Sequence, residues 1–427
     1  MDAVPRNRPR PTGAEPENGQ YPQGARLGEC ADAREGGPAV SGPILRFLAP
    51  VALIALGLAP LPVQATEPAA DPAPAADPAT GCEADRNGRA CLDQAIRLYH
   101  GKDIAQDYTA SRRFAAKACA LEEMLGCNYL GALLEDGLGG PVDVPGAVRN
   151  YRRACDGGYS GACHNLGQTL YENAAKGAPE LADARASFVK GCEASIPDSC
   201  NNYAVMMKLG EGGPQDLVGA VSMFEAVCEA GKNVDACANQ GYMLMVGEGV
   251  AKDPARAAKL LSTACEQGST FACDHYGLIL LNGLAGDRDP SRAKALFAAA
   301  CKGGEANACY NLGEVLIEDL AGGSDLPAAR AAYSTSCDGG IVSACSKLAQ
   351  MTFDGQGGPK DRTAARQMYA DLCSGGDAKS CMTFNVLAEL GEGGPRDREA
   401  SNRALEKGCS LGHEIACSAL KIRQSEK

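Results

Sequence analysis

The chain has 427 residues and a formal net charge of −12, with 5% aromatic residues and no tryptophan. Residues 1–65 balance six Arg against six acidic residues, so the negative charge belongs to residues 66–427. An acidic chain without a Lys/Arg cluster excludes the usual electrostatic basis for binding nucleic acid or an anionic membrane surface.

The first predicted element is an export signal. Arg46 leads into an apolar run at 47–58, followed by Pro60, Pro62 and the small-residue site Val63-Gln64-Ala65. A basic start, an apolar core and an A-x-A-like site predict a signal peptide over 46–65, cleaved after Ala65. The run is too short and too proline-broken for a membrane span, so no stable membrane insertion is expected after cleavage. Residues 1–45 are polar and rich in Pro, Arg and Gly. They read as an unstructured N-terminal extension, or as the product of a start site placed too far upstream, and they contain the unpaired Cys30. Ala79-Thr80-Gly81-Cys82 resembles a lipoprotein box but lies too far from the apolar run to serve as one. Residues 66–80, TEPAADPAPAADPAT, form a Pro/Ala-rich linker that cannot build a core.

From residue 81 the chain is periodic. Twenty of its 21 cysteines fall into ten pairs: Cys82 and Cys91, Cys119 and Cys127, Cys155 and Cys163, Cys192 and Cys200, Cys228 and Cys237, Cys265 and Cys273, Cys301 and Cys309, Cys337 and Cys345, Cys373 and Cys381, Cys409 and Cys417. Partners stand eight or nine residues apart, and successive pairs 36 or 37 apart. Length alone suggests two or three globular domains, but this period replaces them with one repeat array over 81–427. Cysteines paired at this density place the chain outside the reducing cytosol, in the periplasm or secreted.

Each period holds two helical patterns. A small and apolar stretch follows the second cysteine, as in CNYLG at 127–131, CHNLG at 163–167 and CYNLG at 309–313. Apolar residues then continue at helical spacing. This helix A ends at a glycine-rich turn: GLGGPVD at 137–143, GEGGPQD at 210–216, GQGGPKD at 355–361 and GEGGPRD at 391–397. Glycine supplies a left-handed C-cap, and proline forbids continuation. The closing aspartate recurs as Asp107, Asp143, Asp216, Asp253, Asp289, Asp325, Asp361 and Asp397, and is predicted to cap a second helix, B. Pro254 and Pro290 sit at its favoured first position. One carboxylate per loop falls far short of the roughly six oxygens that calcium needs. In the third repeat Pro179-Glu180 replaces the Asp.

Helix B carries a small residue four after the Asp (Ala147, Ala220, Ala257, Ala293, Ala329, Ala365). An aromatic or Leu follows at eight (Tyr151, Phe224, Leu261, Phe297, Tyr333, Tyr369, Leu405). Cysteines eight apart on one continuous helix would lie about 12 Å apart and could not bond. With a Gly-broken turn between them, each pair is predicted to join the last turn of B to the first turn of the next A.

Leu-Gly in helix A, the G-x-G-x-x-x-D turn and the small/aromatic pair in helix B resemble the Sel1-like repeat, a relative of the tetratricopeptide repeat. The C-x7-C in each repeat is similar to the secreted cysteine-rich Hcp-type group. The resemblance covers 91–427, about nine repeats and a capping helix at 415–427. It implies an all-α, right-handed α-solenoid with a disulfide per repeat, working as a protein–protein interaction scaffold. It also implies two rivals. Some Hcp-type members bind or slowly hydrolyse β-lactams, and a mitochondrial intermembrane-space relative assists respiratory-chain assembly, a role open to metal or haem chemistry.

An enzyme reading finds partial traces. Ser187 with Lys190 and Ser291 with Lys294 match the Ser-x-x-Lys element of penicillin-recognising enzymes, but S-D-N and K-T-G elements are missing and both pairs fall on helix B. No residue is assigned a catalytic role. The histidines, His100, His164, His275 and His413, are far apart, and no C-x2-C or C-x-x-C-H pattern occurs, so no metal or cofactor is expected. Met206, Met207, Met243 and Met245 fall on two adjacent A helices, where a Cu(I) site and plain packing are rival accounts.

A binding reading has a fuller trace. Two residues after the second cysteine stand Asn165, Asn202, Asn239 and Asn311, with His275 in register between them. Stacked repeats turn these into a ladder along helix A, which lines the concave side of tetratricopeptide-like solenoids. In that larger family an Asn at this place bonds a peptide backbone. The rival account ties each Asn to the neighbouring repeat, since a buried amide needs partners either way. Lys347 and Thr383 break the pattern. The expected protein is an exported, monomeric scaffold holding a protein or peptide in its groove.

Overall fold

The computed structural model describes residues 81–82, 87–101, 103–231, 233–318 and 324–425. The extension, signal peptide and linker expected over 1–80, and Cys30 with them, lie outside the described residues. Among the described residues are nineteen helices and no strand. Their contacts divide the chain into two units after Asn173. The first holds α1 (Gly88–His100), α2 (Tyr108–Ala120), α3 (Met124–Glu135), α4 (Val144–Asp156) and α5 (Ser160–Asn173). The second begins with α6 (Glu180–Glu193), α7 (Pro197–Leu209), α8 (Leu217–Glu229), α9 (Val234–Val246), α10 (Pro254–Glu266), α11 (Thr270–Asn282) and α12 (Pro290–Lys302). It ends with α13 (Ala306–Ile317), α14 (Leu326–Asp338), α15 (Val342–Asp354), α16 (Arg362–Ser374), α17 (Ala378–Leu390), α18 (Arg398–Ser410) and α19 (Glu414–Ser425). Odd-numbered helices are A and even-numbered are B.

One aspartate per repeat closes A and starts B. Each of the eight accepts a hydrogen bond from the N–H three residues on at 2.8–3.0 Å. Its own N–H donates to the A-helix carbonyl nine residues back at 2.8–3.0 Å. The cap satisfies a free N–H of the new helix and the backbone bond a free carbonyl of the old one. Where the Asp is missing, Pro179 precedes α6 without a side-chain cap, and the division between units falls in that same loop.

The Leu-Gly signature has a packing cause. A Cβ added to Gly131, Gly277 or Gly313 would lie 2.6–2.7 Å from the ring of Tyr151, Phe297 or Tyr333. The glycine is a socket on A for the large side chain of B. Ten disulfides, Cys82–Cys91 through Cys409–Cys417, connect sequential cysteines with Cα atoms 4.4–4.7 Å apart. Nine of them link the end of a B helix to the first turn of the next A.

A second contact links each of four B helices to the following turn. Arg112, Arg185, Arg330 and Arg366 donate to the carbonyls of Pro141, Pro214, Pro359 and Pro395 at 2.9–3.2 Å. A Cβ at Gly140, Gly213, Gly358 or Gly394 would stand 2.5–3.0 Å from the guanidinium, so the second glycine of each GGP makes room for it. At the equivalent place in four other B helices stand Val148, Val221, Ala258 and Lys294, and the turns after these lack GGP.

Helix α19 is polar at two positions that most other A helices keep small or apolar. Lys421 occupies the socket position of α19, and Arg423 takes a place that is apolar in most A helices. Its guanidinium donates to Ser401 and Asn402 at 2.8 and 2.6 Å and pairs with Glu389 at 3.1 Å. The helix begins at Glu414, one residue before its expected start.

Gly212 and Gly231 both sit at φ +65°, but only at Gly212 would a Cβ strike backbone, 2.2 Å from the Leu181 carbonyl oxygen. Gly231→Ala is expected to cost about 1 kcal/mol of left-handed strain. Gly212→Ala should cost roughly 2 kcal/mol beyond that, because the turn must move off α6. Equal denaturation midpoints for the two variants would contradict the close approach.

Candidate functional site

The register two residues after the second cysteine is the place to look for a ligand surface, and most of its amides are occupied. Asn165 donates through Nδ2 to Asn128 Oδ1 at 2.9 Å, Asn239 to Asn201 Oδ1 at 3.1 Å, and Asn311 to Asp274 Oδ1 at 2.7 Å. In each case the acceptor stands one residue after the second cysteine of the preceding repeat. Asn239 is 3% exposed. Asn202 makes its contact as an acceptor, from Asn201 Nδ2 at 3.3 Å. His275 donates through Nδ1 to the Phe271 carbonyl at 2.9 Å, a bond within its own helix. The structure brings Asn202, Asn239, His275 and Asn311 onto the A helices of residues 174–425 and puts Asn165 in the other unit.

Beside the register lies a seam of buried polar groups across α7, α9 and α11. Lys208 Nζ sits 4.2 Å from the centre of the Tyr242 ring and 3.5 Å from Glu248. Burial pushes its ammonium below the usual lysine range, against the pull of Glu248. Tyr242 meets His275 edge-on at 5.0 Å and Phe271 at 5.9 Å. Burial lowers the His275 pKa to about 4 and raises that of Asp274 to about 7, the latter opposed by the Asn311 hydrogen bond. Three consecutive A helices therefore share a charge, an aromatic wall and a carboxyl that titrates near neutrality. Sequence reading missed this seam because a lysine at the end of a helix ordinarily reaches water.

The other candidates fall apart in space or into the core. Ser187 is buried on α6, its Oγ donating to the Asp183 carbonyl at 2.7 Å, while Ser291 is exposed in the first turn of α12. Met206, Met207 and Met243 are buried, and Met245 packs beside them. Among the described residues, no group of three or more His, Cys, Asp or Glu side chains is placed to hold a metal ion.

The Sel1 repeat family model matches residues 89–122, 125–159, 197–232, 234–269, 270–305 and 342–377. The chain is a Sel1-like repeat protein. The unmatched stretches include α6, whose Asp cap is missing, and the polar helix α19. The Sel1 repeat protein of Oxalobacter formigenes is 19% identical and superposes with a TM-score of 0.50 over 77% of this chain and 92% of that one, which shows the fold. A protective antigen of uropathogenic Escherichia coli, also 19% identical, covers 80% of each chain with a TM-score of 0.47. Human cytochrome c oxidase assembly factor 7 is 34% identical over 109 residues, 24% of this chain and 47% of its own length. The chain thus spans about half the length of this curated relative. Sel1 repeats mediate protein interactions, and disulfides at this density suit an oxidising extracellular or periplasmic environment. Among the described residues no helix is long and apolar enough to cross a membrane.

Two substitutions probe the Sel1 register. Asn239→Ala removes a donor and leaves the buried Asn201 oxygen unpaired, which should cost about 1–3 kcal/mol in thermal or denaturant melts. An unchanged melt would release Asn239 from its tie. Asp274→Asn keeps an oxygen for Asn311 and removes the carboxyl. A carboxyl whose pKa rises from 3.8 to about 7 on folding favours the folded state at low pH and loses that preference as pH climbs toward 7. The variant should therefore melt higher than the parent at pH 8, with the gain shrinking toward pH 4. A gain independent of pH would contradict the assignment.

Proposed function

We propose that this protein is an exported interaction scaffold that presents the helix-A face of its repeats to a protein or peptide partner in an oxidising compartment. The observation that carries the reading is a disulfide at every step of a Sel1 array. Stapling each repeat separately holds a repeat-built surface in shape without a large core, which suits recognition more than chemistry. The signal peptide at 46–65 supplies the export route, and the mature chain begins at Thr66. Within the face, Asn202 is the register amide whose donor is not committed to a neighbouring repeat, so it is the residue assigned to the partner.

The relatives named as cytochrome c oxidase assembly factors favour a second reading of the partner. It would be a membrane complex under assembly, met from the oxidising side.

Two measurements test the proposal. Mass analysis of the protein recovered from its cells should give a chain starting at Thr66 with no thiol open to alkylation before reduction; a full-length, alkylated cytosolic chain would overturn it. Asn202→Ala should weaken partner binding by about 1–3 kcal/mol while the melting temperature stays near that of the parent. Full affinity in that variant would retire the helix-A face at this position.

A further inference from the structure

The net charge of −12 conceals a local reversal that arises only when repeats are stacked. In residues 81–173, the sixth and tenth positions after the capping Asp are Arg113 and Lys117 on α2, and Arg149 and Arg153 on α4. Positions four apart share one helix face, with Cβ atoms about 6 Å apart. The two helices lie side by side. The Cys119 sulfur of α2 is 3.5 Å from Asn150 Oδ1 of α4, and Arg112 donates to the Pro141 carbonyl, just before α4, at 3.0 Å. Arg113, Arg149, Arg152 and Arg153 are exposed. Arg113 and Lys117 both rest on the Phe114 ring, 5.4 and 5.2 Å from its centre, which helps to hold the two cations of α2 in place. Against these, the two helices carry a single carboxylate, Asp156, besides the caps Asp107 and Asp143. Asp143 reaches Arg149 at 3.9 Å, and that side chain stays 71% exposed. The same positions hold Ser222 and Ala226 on α8, Ala295 and Ala299 on α12, and Ala331 and Thr335 on α14. Helix α18 repeats the basic pair as Arg403 and Lys407, but it also carries Glu399 and Glu406, and Glu399 lies 3.8 Å from Arg403.

We infer that the basic face of α2 and α4 is a docking surface for the anionic headgroups of a membrane, met peripherally and without insertion. The charges form a patch two helices wide and two positions deep. A planar array of headgroups can meet all of them at once, whereas an extended acidic peptide would follow one row. Arginine predominates, and its planar fork bonds two phosphate oxygens together. Phe114 and Tyr151 of these helices are buried, so neither ring is offered for a nucleic-acid base to stack on. The acidic remainder of the chain weighs little, because exposed charges more than about 10 Å away are screened at ordinary salt. Stacking thus assembles a cluster that composition and sequence order do not show. The surface is separate from the helix-A face at Asn202 and does not depend on that reading.

The test is vesicle co-sedimentation with the full chain, so that any pull of residues 1–65 is common to every variant. Vesicles of phosphatidylcholine with about one-third phosphatidylglycerol should bind the protein at low salt and release it at high salt. Pure phosphatidylcholine vesicles should not bind it, and equal binding to both overturns the inference. Arg113→Gln, Arg149→Gln and Arg153→Gln together should weaken binding to the anionic vesicles about 100-fold, at roughly fivefold per residue. The control variant, Arg403→Gln with Lys407→Gln on α18, should bind as the parent does. A folded triple variant that keeps the parent's affinity overturns the inference, as does a control variant that loses as much. Should the triple variant fail to fold, Arg113→Gln alone must still show the fivefold loss. Polyglutamate bound by the parent more tightly than the anionic vesicles, and lost in the triple variant, also overturns it by assigning the face to an acidic protein.

Discussion

Each A helix must begin beside the end of the B helix before it, and the short step between paired cysteines enforces this in the unfolded chain as well as the folded one. Closing a loop of eight or nine residues removes denatured-state entropy worth about 2–3 kcal/mol per disulfide. Ten such closures act locally, and none brings distant parts of the chain together. An array whose repeats touch only their neighbours has no other long-range cross-link, so its stability grows step by step. The staple fixes where a repeat starts; the angle at which it lies on the next is left to side chains.

The capping aspartate and the socket glycine settle the angle within a repeat. The aspartate joins two helices through one residue, and the glycine lets an aromatic ring enter the neighbouring helix. Between repeats the work passes to arginine clamps and amide ties. The two are interchangeable because both bond a fixed acceptor on the adjacent repeat, a proline carbonyl for one and an Asn or Asp oxygen for the other. The clamp requires a glycine opposite the guanidinium, so Arg and GGP occur together or not at all.

Local features of the fold were legible in the sequence and pairwise ones were not. The caps and staples are set by residues within a dozen positions and the sockets by residues 20 apart inside one repeat, and their spacing announced the helices, the turns and the cysteine partners. The ladder remained open between ligand and neighbour, because the deciding atom is the Asn128, Asn201 or Asp274 oxygen 37 or 38 residues earlier. Arg185 and Pro214 stand 29 residues apart and look unrelated until the repeats are stacked. Lys208 was invisible for another reason: its burial depends on Tyr242 and Glu248, two helices along the chain.

Repeats this similar face a hazard that the staples do not remove, since a cysteine pair in one repeat looks like that in any other. A helix packed one repeat out of place would still find a glycine socket and an aromatic ring. It would not find its polar partner. Lys208 needs Glu248 and the Tyr242 face, Asn311 needs the Asp274 carboxyl, and Arg423 needs Glu389 and Ser401. Each set occurs once, at one step. Burying the Lys208 ammonium costs solvation that its partners offset only in the correct register, so its value lies more in excluding the wrong stack than in stabilising the right one. The interior polar groups of this chain are best understood as addresses, and a surface for a partner has to be built from the residues that the addresses leave free.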